Sequence, residues 1–376
     1  MTTKALGLYV HVPFCEAICN YCNFNRGLLD PTIKKRYLVA LQREIQLAAD
    51  GVLADSVFFG GGTPSVLEPK EVSALIEVCR ESFDLDPGAE ITLEMNPETV
   101  SQERLDGYRV AGVNRISLGV QSFQDVELKR LGRLHTAARA IDAFRAIRAA
   151  GFDNVSVDLM VWLPQQTVSQ WHETVDTLIG LAPEHASLYL LELYPNAPLR
   201  EDMARAGWAQ APEDLAAEMY HTGLERLEAA GLGQYEISNV AQGGRRSRHN
   251  LKYWSDGNWI GFGCGAHSTR DRRRWHNVAG IDKYIERVND GRSPVAMTEP
   301  LSGDEQVRER LFLGLRLVEG VAVAEVAEHY GVDVWGRWGD ELALCVDAGL
   351  LHPDAERLRL TRDGMLLANE VMQVFV

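Results

Sequence analysis

Short apolar runs alternate with longer segments of helical periodicity through the first half of the chain. The runs just before His11 and at 57–59, 91–95, 115–120, 155–161 and 186–193 are near-continuous in apolar residues, as strands buried on both faces are. Between them, residues 31–49 place Tyr37, Leu38, Leu41, Ile45 and Ala48 at helical spacing, and 69–82, 101–111, 136–150 and 168–181 read as helices too. Strand followed by helix, about six times, predicts an α/β fold: a parallel sheet under covering helices. On pattern alone, an open doubly wound sheet and a partial barrel both satisfy it.

The pattern changes toward the C-terminus. Helical periodicity covers 303–317, 322–330 and 334–348, with a turn at Gly320 between the first two. Leu358-Arg359-Leu360 reads as a short strand, and Thr361 can cap a last helix over 369–375. Three helices and a strand predict a small, mainly helical, winged-helix-like domain. From residue 302 onward there are seven arginines and no lysine against fourteen carboxylates, so a nucleic-acid-reading role is disfavoured and a lid or protein-contact role preferred. The expected organisation is 1–240, a connecting segment 241–295, and 296–376.

Charge narrows the function classes. A net charge of −15 over 376 residues argues against general affinity for nucleic acid or anionic membrane. The stretch from Met1 to Tyr9 is too short for a signal-peptide core, and no run approaches the length of a membrane span. Cytoplasmic residence is the expectation.

Three of the six cysteines, Cys15, Cys19 and Cys22, fall in a C-x3-C-x2-C pattern after the first apolar run. Closely spaced cysteines outside a secreted setting more often bind metal than form disulfides. A structural zinc site wants four ligands, and position 24, where a fourth could follow, is Phe. Thiolates so spaced can wrap an iron–sulfur cluster, normally held by four cysteines; with three, one iron stays open. Other polar residues sit at predicted strand ends, where α/β barrels carry their chemistry. Gly60-Gly61-Gly62-Thr63-Pro64 ends the second run, Glu94 lies near the end of the third, Gln121 follows the fourth, and Asp158 and Glu192 lie in the fifth and sixth. A glycine run exposes backbone N–H groups to an anionic or zwitterionic ligand. A buried carboxylate such as Glu94 needs a partner.

The cysteine loop, with Tyr21 before its last cysteine, resembles that of the radical S-adenosylmethionine (SAM) superfamily, and the GGGTP element matches as well. The resemblance implies a partial (β/α)6 barrel with a cluster loop at 15–22. It further implies a 4Fe-4S cluster on Cys15, Cys19 and Cys22, whose open iron is chelated by SAM. Tyr9, Gly61, Gly62, Thr63, Glu94, Gln121, Arg133 and Asp158 fall where that family contacts cluster and SAM, with Glu192 a weaker candidate.

Within the superfamily the chain is similar to the oxygen-independent coproporphyrinogen III oxidase group, and more narrowly to its HemW branch of haem chaperones. The carrying string is His249-Asn250-Leu251-Lys252-Tyr253-Trp254, followed by Gly261 to Ser268. On composition alone, His249 and Asn250 read as hydrogen-bonded loop residues and Tyr253 and Trp254 as core. Imidazole is also a usual axial ligand of haem iron, and aromatic rings pack on a flat macrocycle. His249 is therefore the expected haem-binding residue, with Cys264 and His267 as rivals. Arg270, Arg272, Arg273 and Arg274 read first as a solvated loop.

The implied function is binding haem and passing it to an acceptor protein; an electron donor is needed only if SAM is cleaved. The alternative is radical oxidative decarboxylation of coproporphyrinogen III, through cluster reduction, SAM cleavage and hydrogen abstraction by the 5′-deoxyadenosyl radical. That branch has a fourth cysteine where Phe24 stands, and a longer arm than the 14 residues before Cys15.

Overall fold

The computed structural model describes residues 5–376; the first four, part of the stretch read for a leader, lie outside the described residues. Six parallel strands lie side by side in chain order: β1 (Leu6–Val12), β2 (Leu53–Gly61), β3 (Asp84–Met95), β4 (Arg115–Gln121), β5 (Val155–Val161) and β6 (His185–Leu190). The helices α1 (Pro31–Leu47), α2 (Pro69–Ser82), α3 (Gln102–Ala111), α4 (Ala137–Ala149) and α5 (Val168–Leu181) connect them in turn. A sixth, α6 (Glu213–Ala229), follows β6 and carries no counterpart among the sequence expectations. This is the six-unit strand–helix partial barrel.

The strands are not apolar on both faces. Leu6, Leu8, Val10 and Val12 of β1 pack in one core with Tyr37, Leu41 and Ile45 of α1. The alternate positions carry Tyr9 and His11. Strand periodicity continues this second set across the sheet, through Ser56 and Phe58, Thr92 and Glu94, Ser117, Asp158, and Ser187 and Tyr189. One face is thus aliphatic and covered by helices, and the other is polar and aromatic. Several of these polar side chains are small, which is why the runs looked continuous.

Residues 241–295, expected as a connection, contribute to the sheet itself. Beyond β6 lie β7 (Gly233–Glu236) and β8 (Asn239–Ala241), with β8 antiparallel to β6. Then α7 (Arg248–Trp254) returns the chain to the opposite edge. There β9 (Trp259–Phe262) pairs parallel to β1, and β10 (His267–Arg270), β11 (Arg273–Asn277) and β12 (Val295–Pro300) extend it antiparallel, giving twelve strands. A buried carboxylate fastens this extension. Glu44 of α1 accepts hydrogen bonds from Gly263 N–H (2.8 Å), Asn277 Nδ2 (2.6 Å) and the Tyr284 hydroxyl (2.5 Å). Burial pushes its carboxyl up to about 7 despite these donors.

The C-terminal part has its own core. Val307 and Leu311 of α8 (Gly303–Gly314) pack with Val326 of α9 (Val323–Tyr330) and Leu342 of α10 (Val334–Asp347), closed by Val371 and Phe375. Val321–Ala322 pairs antiparallel with Arg357–Leu358. Thr361 caps a helix as expected, accepting from Gly364 N–H (2.9 Å), but that helix is Arg362–Leu366. The chain breaks at Leu367 before Ala368–Met372, so the last helix is two short pieces. Arg316 ties this part to the barrel: it pairs with buried Glu236 (3.1 Å) and lies 4.3 Å over the Trp254 ring. Among the described residues no helix is long and apolar enough to cross a membrane.

Candidate functional site

Two adjoining cavities open at the polar face of the parallel strands. The first, about 420 Å³, is lined by all three motif cysteines and by Gly61, Gly62, Thr63, Glu94, Gln121, Arg133, Asp158 and Glu192. Every residue expected around a cluster and SAM is here except Tyr9. The tertiary structure brings them from four strands, the segments that follow strands, and the cysteine loop into one wall.

The loop's ends are held by backbone pairing between Phe14–Cys15 and Gly27–Leu28. Its middle is tethered by Asn20, which donates to the Arg130 carbonyl (2.9 Å) and to Asp202 (2.9 Å). Thr63 Oγ1 donates to Cys15 Sγ (3.5 Å), and Arg133 Nη1 donates to Cys19 Sγ (3.5 Å). The Thr63 hydroxyl favours the Cys15 thiolate, but burial outweighs it and raises the Cys15 thiol, and burial raises the Cys22 thiol as well. Among the described residues no three His, Cys, Asp or Glu side chains converge on one point to hold a metal ion. Three thiols spread around one cavity fit a multi-iron cluster, in which each thiolate takes its own iron.

The glycines are required by close approach. Gly61 has φ +115°, and a Cβ there would lie 2.5 Å from the His11 ring; a Cβ on Gly62 would meet the Phe14 carbonyl at 2.8 Å. The Gly61 N–H donates to Glu94 Oε2 (3.2 Å). Burial, and then Asp158, push the Glu94 carboxyl up to about 8, so it holds its proton near neutral pH, and a cationic group beside it would favour the ionised form. Asp158 is raised by burial although it accepts from Ser117 (3.2 Å) and Ser156 (3.4 Å). Gln121 sits at φ +72° where the β4–β5 register shifts. A non-glycine residue held there is strained, and such strain collects at ligand sites. Arg133 donates to the Gly119 carbonyl (2.7 Å) and to Asn96 Oδ1, while its Nε is buried without a partner among the described residues. Sequence reading passed over Asn96, Ser117 and Tyr189, which also line this cavity. Ser117 faces inward in step with Glu94, its register partner, a period-two signal that a strand-end search does not use.

The second cavity, about 600 Å³, shares Asn23, Phe24, Gly61 and Glu94 with the first. Tyr9 lines this one, its hydroxyl 3.1 Å from His11 Nδ1. Tyr253, Trp254, Trp259, His267 and Arg274 complete the wall. The aromatics of the HNxxYW string therefore face a cavity, but its histidine does not. His249 is 0% exposed and stacks on Phe58 (centroids 5.2 Å, 28°). Its Nδ1 lies 3.0 Å from Ser56 Oγ and its Nε2 2.9 Å from the Tyr253 hydroxyl. Burial, then Lys252, lower its proton affinity to about 3. As placed, neither ring nitrogen is open to iron, and the side chain buttresses Tyr253 from behind. The rival Cys264 is also buried, with its thiol raised to about 11. The arginine loop is partly paired: Arg270 with Asp50 (2.5 Å), and Arg274 with Glu309.

Six strand–helix units that bring a three-cysteine loop and a glycine-rich strand end into one cavity define a radical SAM protein, and the Radical SAM superfamily profile matches residues 9–178. The HemN C-terminal domain profile matches 301–367. Coproporphyrinogen III oxidase (HemN) from Escherichia coli, a radical SAM enzyme of known structure, superposes with a TM-score of 0.87 over 99% of this chain and 90% of its own, at 22% identity. Heme chaperone HemW of Bacillus subtilis is 37% identical, with 98% of each chain covered. The bovine mitochondrial radical S-adenosyl methionine domain-containing protein 1 is 35% identical over 98% of this chain and 87% of its own. The chain belongs to the HemW family of the radical SAM superfamily.

Proposed function

We propose that this protein is a haem chaperone: it binds haem, passes it to an acceptor protein, and keeps a 4Fe-4S cluster and SAM in an adjoining site. The observation that carries the reading is the pair of cavities with a shared wall, one rimmed by thiols and the other by aromatic rings. The relatives named as haem chaperones support it. In the first cavity Cys15, Cys19 and Cys22 would hold the cluster. Gly61, Gly62, Thr63, Glu94, Gln121, Arg133 and Asp158 would receive SAM. Glu94, adjacent to the Gly61 backbone, suits the SAM amino group, and Arg133 suits an anionic group. When bound and reduced, the cluster would supply an electron to SAM. The residues of this chain position the ligand and seat it beside the second cavity. There the flat faces of Trp254 and Trp259 suit a macrocycle. An acceptor protein, an electron donor if SAM is cleaved, and cytoplasmic residence belong to the same proposal.

The test is anaerobic reconstitution, followed by haem titration and coproporphyrinogen III turnover in one preparation. Stoichiometric haem binding without porphyrinogen conversion is the expected result. Conversion to protoporphyrinogen IX would overturn the chaperone reading in favour of the decarboxylase.

A further inference from the structure

We infer that His267 supplies the axial ligand to haem iron in the second cavity, an assignment that rests on the haem reading above and goes beyond it by naming the iron-binding atom source. Three other histidine or cysteine side chains compete with it near that cavity, and the geometry separates them. His11 lines it, but its ring spans two partners, the Tyr9 hydroxyl (3.1 Å) and the Asn25 carbonyl (2.9 Å). His249 is sealed behind Tyr253, with both nitrogens engaged. Cys264 is 0% exposed and is not part of the cavity wall.

His267 lines the cavity, is exposed, and among the described residues has no hydrogen bond to either ring nitrogen. Its direction is fixed by the strand. Ser268, the next residue, is buried on the opposite side and accepts from Gly261 N–H (2.9 Å), which leaves His267 facing outward at the start of β10. The ring is also held flat. His276 lies directly across the β10–β11 ladder and stacks on it, centroids 5.1 Å apart and 27° between planes. A ligating imidazole needs one free nitrogen lone pair, which it shares with the iron with no electron transfer and no leaving group, and the stacked His276 ring sets the plane in which it is offered. Trp254 and Trp259 stand in the same wall to pack on the macrocycle. Arg274, also there and currently paired with Glu309, can exchange that carboxylate for a haem propionate.

The experiment is titration of the reconstituted full-length protein with ferric haem, followed by difference absorption in the Soret region. Wild type, His267→Ala, His267→Met and His249→Gln are compared. His267→Ala is expected to bind roughly tenfold more weakly or worse, with a displaced Soret band that added imidazole returns toward the wild-type position. His267→Met, which offers a thioether in place of imidazole, is expected to move the band even if binding is retained. His249→Gln is expected to keep the wild-type band in its folded fraction. A Soret band unmoved in His267→Met overturns the assignment whatever the affinity. A wild-type protein with no Soret response overturns the haem reading itself, and the ligand with it, so the two failures are distinguishable.

Discussion

The two cavities share a wall but are built in different ways. The thiol-rimmed cavity is made of short sequence elements, most of them ending a strand: the cysteine loop after β1, Gly61 to Thr63 at the end of β2, Glu94 near the end of β3 and Gln121 closing β4, with Asp158 inside β5. Parallel strands put their C-terminal ends at one edge, so these elements converge as soon as the sheet forms. The aromatic cavity has no such rule behind it. Its walls come from Tyr9 of β1, from α7 lodged under the strands, and from the extension β9 to β11. It exists only because α7 returns the chain across the sheet to the far side of β1. The lesson is that one site is encoded by position along strands and the other by packing between segments distant in sequence.

The contrast can be broken most directly at the cysteines. Cys19→Ser should abolish a stable cluster, seen as loss of bound iron and sulfide after reconstitution, while haem titration of the second cavity survives. Parallel loss of both ligands would mean that the two cavities are one functional site.

His249→Ala tests the other side. The substitution removes a fully buried ring and leaves Ser56 and Tyr253 without their partner. It should cost about 2–4 kcal/mol of stability, read from thermal or denaturant unfolding. A variant as stable as wild type would contradict the buttress role.

Glu94 gives a pH-dependent handle. Its folded pKa of about 8 lies above the ordinary carboxylate value, so the folded state holds a proton that the unfolded state has released. Its contribution to the stability of the ligand-free protein should therefore be fully present below the usual carboxylate range and be lost as pH rises through about 8. Glu44, raised to about 7, contributes in the same direction. Glu94→Gln should flatten part of that decline while weakening SAM binding. An unchanged pH profile would show that Glu94 is ionised throughout.

The smallest effect is expected at Phe24, which is 66% exposed and lines both cavities. Phe24→Ala should change stability by no more than about 0.5 kcal/mol, as exposed substitutions do. It should weaken haem binding by roughly 2- to 10-fold through the lost ring contact. Unaltered haem affinity would place the macrocycle away from the shared wall.

Much of the first cavity was legible before folding, because cysteine spacing and strand-end position are properties of the chain. Tyr9, a β1 residue next to the loop, was expected by the cluster. Tyr9 lines the neighbouring cavity, which shares Gly61 and Glu94 with the first. For the string 249–254, sequence alone favoured hydrogen-bonded polar residues and core aromatics. The structure divides it differently: His249 is the hydrogen-bonded core residue, while Tyr253 and Trp254 face the cavity. A seven-residue helix turns its residues through nearly two revolutions, so neighbours in sequence face opposite ways, and only the packing of α7 decides which way.

The sequence by itself determined the alternation of six strands and helices, the three thiols, and the glycine turn beside them. Those features follow from local periodicity and residue chemistry, which need no partner. The tertiary structure alone decided that residues 241–295 complete the sheet, that Glu44 bolts them to α1, and that among the described residues no side chain or backbone group bonds the His267 ring nitrogens while both of His249 are engaged. Burial and hydrogen-bond saturation are outcomes of the whole packing, and no single segment carries them.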